Sequence, residues 1–179
     1  MSEQAQPESV FTLKDGRCIT IRPVTPEDEP FIAEAIRTAS RQTLLHRFFT
    51  PLRSLAPEEL RRMLTLNPAR EFCFVGESTE AGRKRIACGA RYVRLNDSSR
   101  AEIAITVHDD FQGRGVGRQL LEMLAERGRV DGIHTFVADV LAENSVMLHL
   151  LQRLAPQRRS TFSGGVCHVE FDLADVAPS

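Results

Sequence analysis

From Ala101 to His108 apolar and polar positions alternate. Ala101, Ile103, Ile105 and Val107 fall on one side, Glu102, Ala104, Thr106 and His108 on the other. This period of two predicts a strand. Further on, Val116, Leu120, Leu121 and Leu124 recur at helical spacing and predict an amphipathic helix. Gln112-Gly113-Arg114-Gly115-Val116-Gly117 lies between them. A glycine-rich turn that opens a helix aims backbone N–H groups into one concavity. The first-turn amides there have no intrahelical partner, and the helix dipole adds partial positive charge. The pattern predicts a phosphate or pyrophosphate site at Gln112 to Arg118, with Arg114 and Arg118 adding fixed charge beside it.

The remaining elements follow from the same reading. Val10 to Pro23 predicts a hairpin around Asp15-Gly16. Thr25-Pro26-Glu27-Asp28 starts a helix whose apolar stripe is Phe31, Ile32, Ala35 and Ile36. A second short helix ends before Pro51, and Pro57 to Leu66 is a third. Strands are expected at Glu71 to Val75 and Arg85 to Val93, with Glu77 to Lys84 as a loop between them. Gly128 and Asp131-Gly132 stop the central helix. They precede a strand at His134 to Val140 and a helix at Glu143 to Leu154. Ser163-Gly164-Gly165 turns a closing hairpin that ends near Leu173. The expected class is α/β in a single domain over residues 9–174, with a flexible N-terminus at 1–8 and a tail at 175–179.

Composition narrows the function. A chain of 179 residues is one domain's length. A formal net charge of -1 argues against a nucleic-acid or anionic-membrane partner held by bulk electrostatics. No apolar run approaches the roughly 20 residues that span a bilayer, and MSEQAQPESV is no secretory signal, so a cytoplasmic location is expected. Cys18, Cys73, Cys88 and Cys167 are scattered, with no C-x-x-C and no histidine at zinc-ligand spacing. Buried, reduced thiols and no metal are expected.

Spacing discriminates among phosphate-binding devices. No glycine is followed by Lys and then Ser or Thr, so a P-loop is excluded. A dinucleotide turn needs G-x-G-x-x-G directly after the first strand, whereas these glycines run G-x-G-x-G, five residues beyond Val107. Asp139 can imitate the ribose-binding acid of that fold, which keeps the reading open.

Gln112 to Gly117 also matches the Q/R-x-x-G-x-G/A signature of the GNAT acetyltransferases. The resemblance extends upstream through AEIAITV and downstream through LAENSVMLHLLQRL. The order of elements is similar to the GNAT fold, a mixed, mostly antiparallel sheet flanked by helices, over about Val10 to Leu173. LKDGRCITIRPVTPEDEPFI followed by TLLHRFF resembles the bacterial protein-lysine acetyltransferase branch, the Pat-like enzymes. The resemblance implies acetyl-CoA as co-substrate. Its pantetheine arm would lie along Ile105, Thr106 and Val107, with a backbone N–H near Val107 polarising the thioester carbonyl. Asn144 matches the asparagine that contacts the cofactor arm, and it is equally a helix N-cap.

Acetyl transfer to an amine requires that an ammonium, with a pKa of ~10.4 for lysine, lose a proton before attack. Glu102 is the expected general base. It lies on the polar side of the central strand and matches the glutamate at this position in Pat-like and histone-type enzymes. Partial burial would raise its pKa and suit it to that role. The competing reading pairs it with Arg91 or Arg100. His108, at the strand's end, is the second candidate, and His46, His134, His149 and His168 read as packing or surface residues. Many relatives carry a tyrosine after the asparagine as general acid. Val146 to Leu154 has none, and Tyr92 is the chain's single tyrosine. The usual L-G-F is here Leu154-Ala155-Pro156.

The expected acceptor is a lysine side chain of a protein such as an acyl-CoA synthetase. The alternatives are a small-molecule or N-terminal amine, or a non-catalytic acetyl-CoA sensor. The sequence carries no signal for oligomeric state.

Overall fold

The structure is a computed structural model and describes residues 8–176. The expectation of a flexible N-terminus falls on residues outside that range, apart from Glu8. Eight strands form one sheet: β1 (Ser9–Thr12), β2 (Cys18–Pro23), β3 (Glu71–Glu80), β4 (Arg83–Arg94), β5 (Arg100–Val107), β6 (Thr135–Leu141), β7 (Arg159–Ser163) and β8 (Val166–Asp172). Their order is β1-β2-β3-β4-β5-β6-β8-β7. Every ladder is antiparallel except that between β5 and β6. This is the expected α/β class, and it removes the dinucleotide reading, which needs a mostly parallel sheet.

The alternation on β5 sorts the helices onto two faces. Ala101 and Ile103 pack in the main core with Leu120, Leu121 and Leu124 of α4 (Val116–Val130) and with Phe136 and Phe171. On the other face lie α1 (Glu29–Thr38) over β4 and α2 (Arg41–Phe48) over β5, with α3 (Pro57–Leu64) beside α1. α5 (Ser145–Leu154) packs against α4. No helix among the described residues is long and apolar enough to cross a membrane.

Three expectations change. Glu77 to Lys84 is no loop: β3 and β4 continue through it to a tight turn at Ala81-Gly82, both with positive φ. Its charges hide the strand period because they are paired across the sheet, Glu77 with Arg22 and Lys84, and Glu80 with Arg17 and Arg85. Gly128 does not stop α4. A Cβ there would stand 2.9 Å from both Leu173 and Phe136, so the glycine lets the helix press onto the sheet. Position 176 belongs to the fold and not to a tail, since Val176 is buried and Arg129 donates to its carbonyl.

Asp28 anchors the N-terminal part. Its fully buried carboxylate accepts from Arg22 at 2.8 Å, Lys84 at 2.9 Å and the Thr25 N–H at 3.0 Å. Burial alone would raise its pKa. The two cations and the amide outweigh burial and hold it well below the carboxylate range. Cys88 and Cys167 are buried, but Cys18 is exposed, against expectation. Burial pushes the Cys73 thiol up to about 11 and Cys88 to about 12, as inert thiols require.

Candidate active site

The β5–β6 ladder is short. Arg100, Ala101 and Glu102 pair with Thr135, Phe136 and Val137, and beyond that rung the strands part. The gap is a cleft of about 810 Å³, floored by Glu102 to Val107 and bounded by Ala138 to Val140, α2, α5 and the glycine turn.

The unpaired edge of β5 can be assigned from its register. The His108 N–H donates to Ala87 O, so alternate residues back to Ala104 exchange main-chain bonds with β4. Ile105 and Val107 therefore turn their main-chain groups to the gap. Gln112 Nε2 takes the Val107 carbonyl at 2.9 Å, and the Val107 N–H and both groups of Ile105 stay open to an extended ligand. The Thr106 hydroxyl points to the α2 face, buried and without a partner.

At the far end, Gly113 (φ 69°) and Gly115 (φ 85°) adopt left-handed backbone, which glycine supplies without steric cost. Gly115 is the N-cap of α4 and offers no side-chain acceptor. The first intrahelical donor is Gln119, bonded to Gly115 O, so the amides of Val116, Gly117 and Arg118 are unsatisfied within the helix. Gln112, Gly113, Gly115, Val116, Gly117 and Arg118 line the cleft, and Arg114 does not. The Arg114 guanidinium is drawn away to Asp15 at 2.6 Å, so it is not the free phosphate-side charge expected of it. Arg118 lines the cleft while bonded to Glu122 at 2.7 Å. Gly117 has Leu150 of α5 3.4 Å from where its Cβ would be, which brings α5 close at the mouth. Asn144 lines the cleft and caps α5, its Oδ1 accepting from the Met147 N–H at 3.2 Å. The structure thus unites on one cleft every expected cofactor residue but Arg114.

Glu102 stands where the strands separate. It is exposed to the cleft, so the expected partial burial is absent. The expected competitors are engaged elsewhere: Arg91 with Glu71 at 2.9 Å, and Arg100 with Glu170. Among the described residues Glu102 makes no ion pair. His108 is buried behind β5, with Nε2 3.1 Å from Thr38 Oγ1, and does not line the cleft. The Tyr92 hydroxyl donates to Asp131, also away from the cleft. Asp139 lines the cleft but is held by His168 Nδ1 at 2.6 Å.

Asp109 fastens α2 over this floor. Its carboxylate accepts from the Ser40 N–H at 2.8 Å, Ser40 Oγ at 2.6 Å and Thr43 Oγ1 at 2.9 Å. Gln112 Nε2 reaches the same Thr43 hydroxyl at 3.0 Å, which ties the helix to the glycine turn. Sequence reasoning assigned no site role to α2, yet His46, Arg47, Phe48 and Phe49 line the cleft. The available signal was Arg47, a cation one turn beyond buried Thr43 and Leu44. Behind β5 a second, mostly apolar cavity of about 140 Å³ shares Thr43, Arg47, Phe48, Ala104 and Thr106 with the cleft.

Residues 19–155 match the family described as acetyltransferase (GNAT) domain. Acetyltransferase Pat of Mycolicibacterium smegmatis is 32% identical over 146 residues, 79% of this chain and 42% of that protein. The chain therefore spans less than half the length of that relative. Acetyltransferase PA5475 of Pseudomonas aeruginosa is 28% identical over 141 residues, 79% of this chain and 76% of that one. The crystal structure of the GNAT domain of S. lividans PAT superposes with a TM-score of 0.80 at 28% identity, covering 92% of this chain and 96% of that one.

Proposed function

The chain belongs to the GNAT acetyltransferase family, acyltransferases that use acetyl-CoA, and we propose that it acetylates a lysine side chain of a protein such as an acyl-CoA synthetase. The observation that carries the chemistry is the three-rung β5–β6 ladder, with Glu102 at the fork and an uncapped glycine turn at the other end. The lysine acceptor is supported by the likeness of LKDGRCITIRP and HRFF to the Pat-like branch and by the similarity to the two Pat proteins above.

In this reading the amides from Gly113 to Arg118 receive the pyrophosphate, as uncapped helix N-termini receive anions. The main-chain groups of Ile105 hold the extended arm along the open edge of β5, and Asn144 borders it. Bound acetyl-CoA supplies an electrophilic acetyl carbon and a thiolate leaving group. The Val107 N–H donates to the carbonyl oxygen as negative charge develops on it. Glu102 accepts a proton from the acceptor ammonium, directly or through water, and frees the nitrogen lone pair. A thiol pKa near ~8.5 lets the thiolate depart without a tyrosine acid. Gln112 acts indirectly, holding the Val107 carbonyl and Thr43 together.

The test incubates the protein with acetyl-CoA and a purified acyl-CoA synthetase, following synthetase activity and the mass of its active-site peptide. Loss of activity with one added acetyl group is expected. A synthetase left active and unmodified while free amines are acetylated would replace the protein acceptor with a small molecule.

A further inference from the structure

Two arginines lining this cleft, Arg47 and Arg153, have no partner among the described residues, and of these Arg153 is exposed while Arg47 is half-buried. Arg47 lies in the last turn of α2, with its guanidinium 5.0 Å from the centroid of the Phe48 ring. Among the described residues it makes no hydrogen bond and no ion pair. Arg22, Arg91, Arg100 and Arg127, which are buried to a similar extent, all have carboxylate partners. Burial and the neighbouring Arg91 both disfavour its charge, and the Glu102 carboxylate offsets them only in part. A half-buried guanidinium without a partner is costly, and a planar fork of donors matches a carboxylate.

Its position indicates which anion would complete it. The pyrophosphate cradle is at the opposite end, at Gly113 to Arg118. Arg47 instead shares the reacting end with Glu102, and its other side borders the apolar cavity behind β5, lined by Ile32, Ile36, Leu44 and Met63. An occupant of that corner presents an ammonium to Glu102, an anion to Arg47 and an apolar body to the cavity.

We propose that Arg47 anchors the acceptor through a carboxylate carried close to the reacting amine. The proposal rests on the reading of this cleft as an amine acetylation site. The carboxylate belongs either to a free amino acid or to an acidic side chain beside a target lysine. Both sources present the same group to the guanidinium, and two substrate pairs separate them.

The experiment measures CoA release by the full chain at saturating acetyl-CoA. One pair is leucine against leucinamide; the other is N-acetyl-Glu-Lys-amide against N-acetyl-Gln-Lys-amide. In at least one pair the carboxylate member should be preferred about tenfold or more in kcat/KM, mainly through KM. Arg47→Gln should collapse that ratio towards one, and Arg47→Lys should reduce it without reversing it. Exposed Arg62→Gln should leave it at the wild-type value. Calorimetric titration of the CoA complex with 4-methylpentanoate and with N-acetyl-Glu-amide needs no turnover. At least one should bind the wild type and bind Arg47→Gln tenfold more weakly or worse. Without ligand, Arg47→Gln should melt at or above the wild-type temperature, because an unpartnered cation has been removed; a structural arginine would give a lower one. No preference in either pair together with no carboxylate binding overturns the proposal. An Arg47→Gln that lowers kcat equally on both members of a pair also overturns it. Carboxylate binding with no amine acetylated would sink the parent reading and the acceptor role with it, leaving Arg47 as a carboxylate-binding site only.

Discussion

Glu102 and Val137 face one another on the last rung of the β5–β6 ladder, and the cleft opens immediately beyond them. That rung sets the depth to which an extended ligand can enter between the strands, and it puts a carboxylate at that depth. The other acids nearby are occupied, Glu170 by Arg100 and Arg159, and Asp139 by His168.

Glu102→Gln keeps the shape of the fork and loses the proton acceptor. Turnover should fall by ~10²–10⁴ while acetyl-CoA affinity stays near wild type. The deficit should narrow as pH rises towards the pKa of the amine, where more acceptor is already neutral. Steady-state rates across pH 7 to 10 (about that range) check this, and a mutant with wild-type turnover at neutral pH removes Glu102 from the role.

Acetyl-CoA at a hundredfold excess over its dissociation constant should stabilise the fold by ~2.7 kcal/mol. Gly115→Asp brings a β-carbon to a position with φ 85° and a like charge to the anion cradle. It should abolish the ligand-induced shift in Tm, read as the difference with and without acetyl-CoA so that any strain in the variant cancels. Equal protection of the wild type by NAD, with none by acetyl-CoA, would refute the cradle assignment.

Tyr92 is stacked near Phe72 and donates to Asp131 on the α4 side. Tyr92→Phe should therefore retain kcat, because this hydroxyl is not the general acid. It should cost about 1–3 kcal/mol of stability by leaving the Asp131 carboxylate short of a donor. A large fall in kcat with an unchanged melting temperature would contradict this placement.

Asp28→Asn should destabilise by roughly 3–5 kcal/mol, because Arg22 and Lys84 would lose the buried carboxylate they share and keep only the part-exposed Glu77. The wild type carries the matching pH dependence. The native pKa of Asp28 is depressed below its unfolded value of ~3.9, so its contribution is complete above that value. It is lost progressively as pH falls through the unfolded value towards the native one. Urea midpoints from about pH 7 down to pH 3 should show this acid-side loss in the wild type and a shallower one in Asp28→Asn.

Much of the site could be read in the chain because its parts are local. The strand period from Ala101 to Val107, the G-x-G-x-G turn and the Asn144 cap each depend on residues a few positions apart, whose geometry follows from backbone sterics and helix-end chemistry. Glu102 could be placed on the polar side of β5 by alternation alone. The hairpin at Glu77 to Lys84 could not be read, since charges paired across the sheet look like a loop to a pattern built on hydropathy.

What only the tertiary structure decided lies in pairings between distant residues. Alternation predicts β5 but carries no information on where β6 leaves it, and that parting makes the cleft. Arg114 sits in the phosphate motif, yet Asp15, 99 positions earlier, takes its guanidinium. Arg91 and Arg100 were plausible partners for Glu102 until Glu71 and Glu170 came within reach. Arg47 lies in a short helix to which the sequence assigned no site role, and folding left it half-buried at the cleft without a partner. Side-chain direction is set locally by the backbone period, whereas an ion pair goes to whichever opposite charge the packed sheet and helices bring nearest.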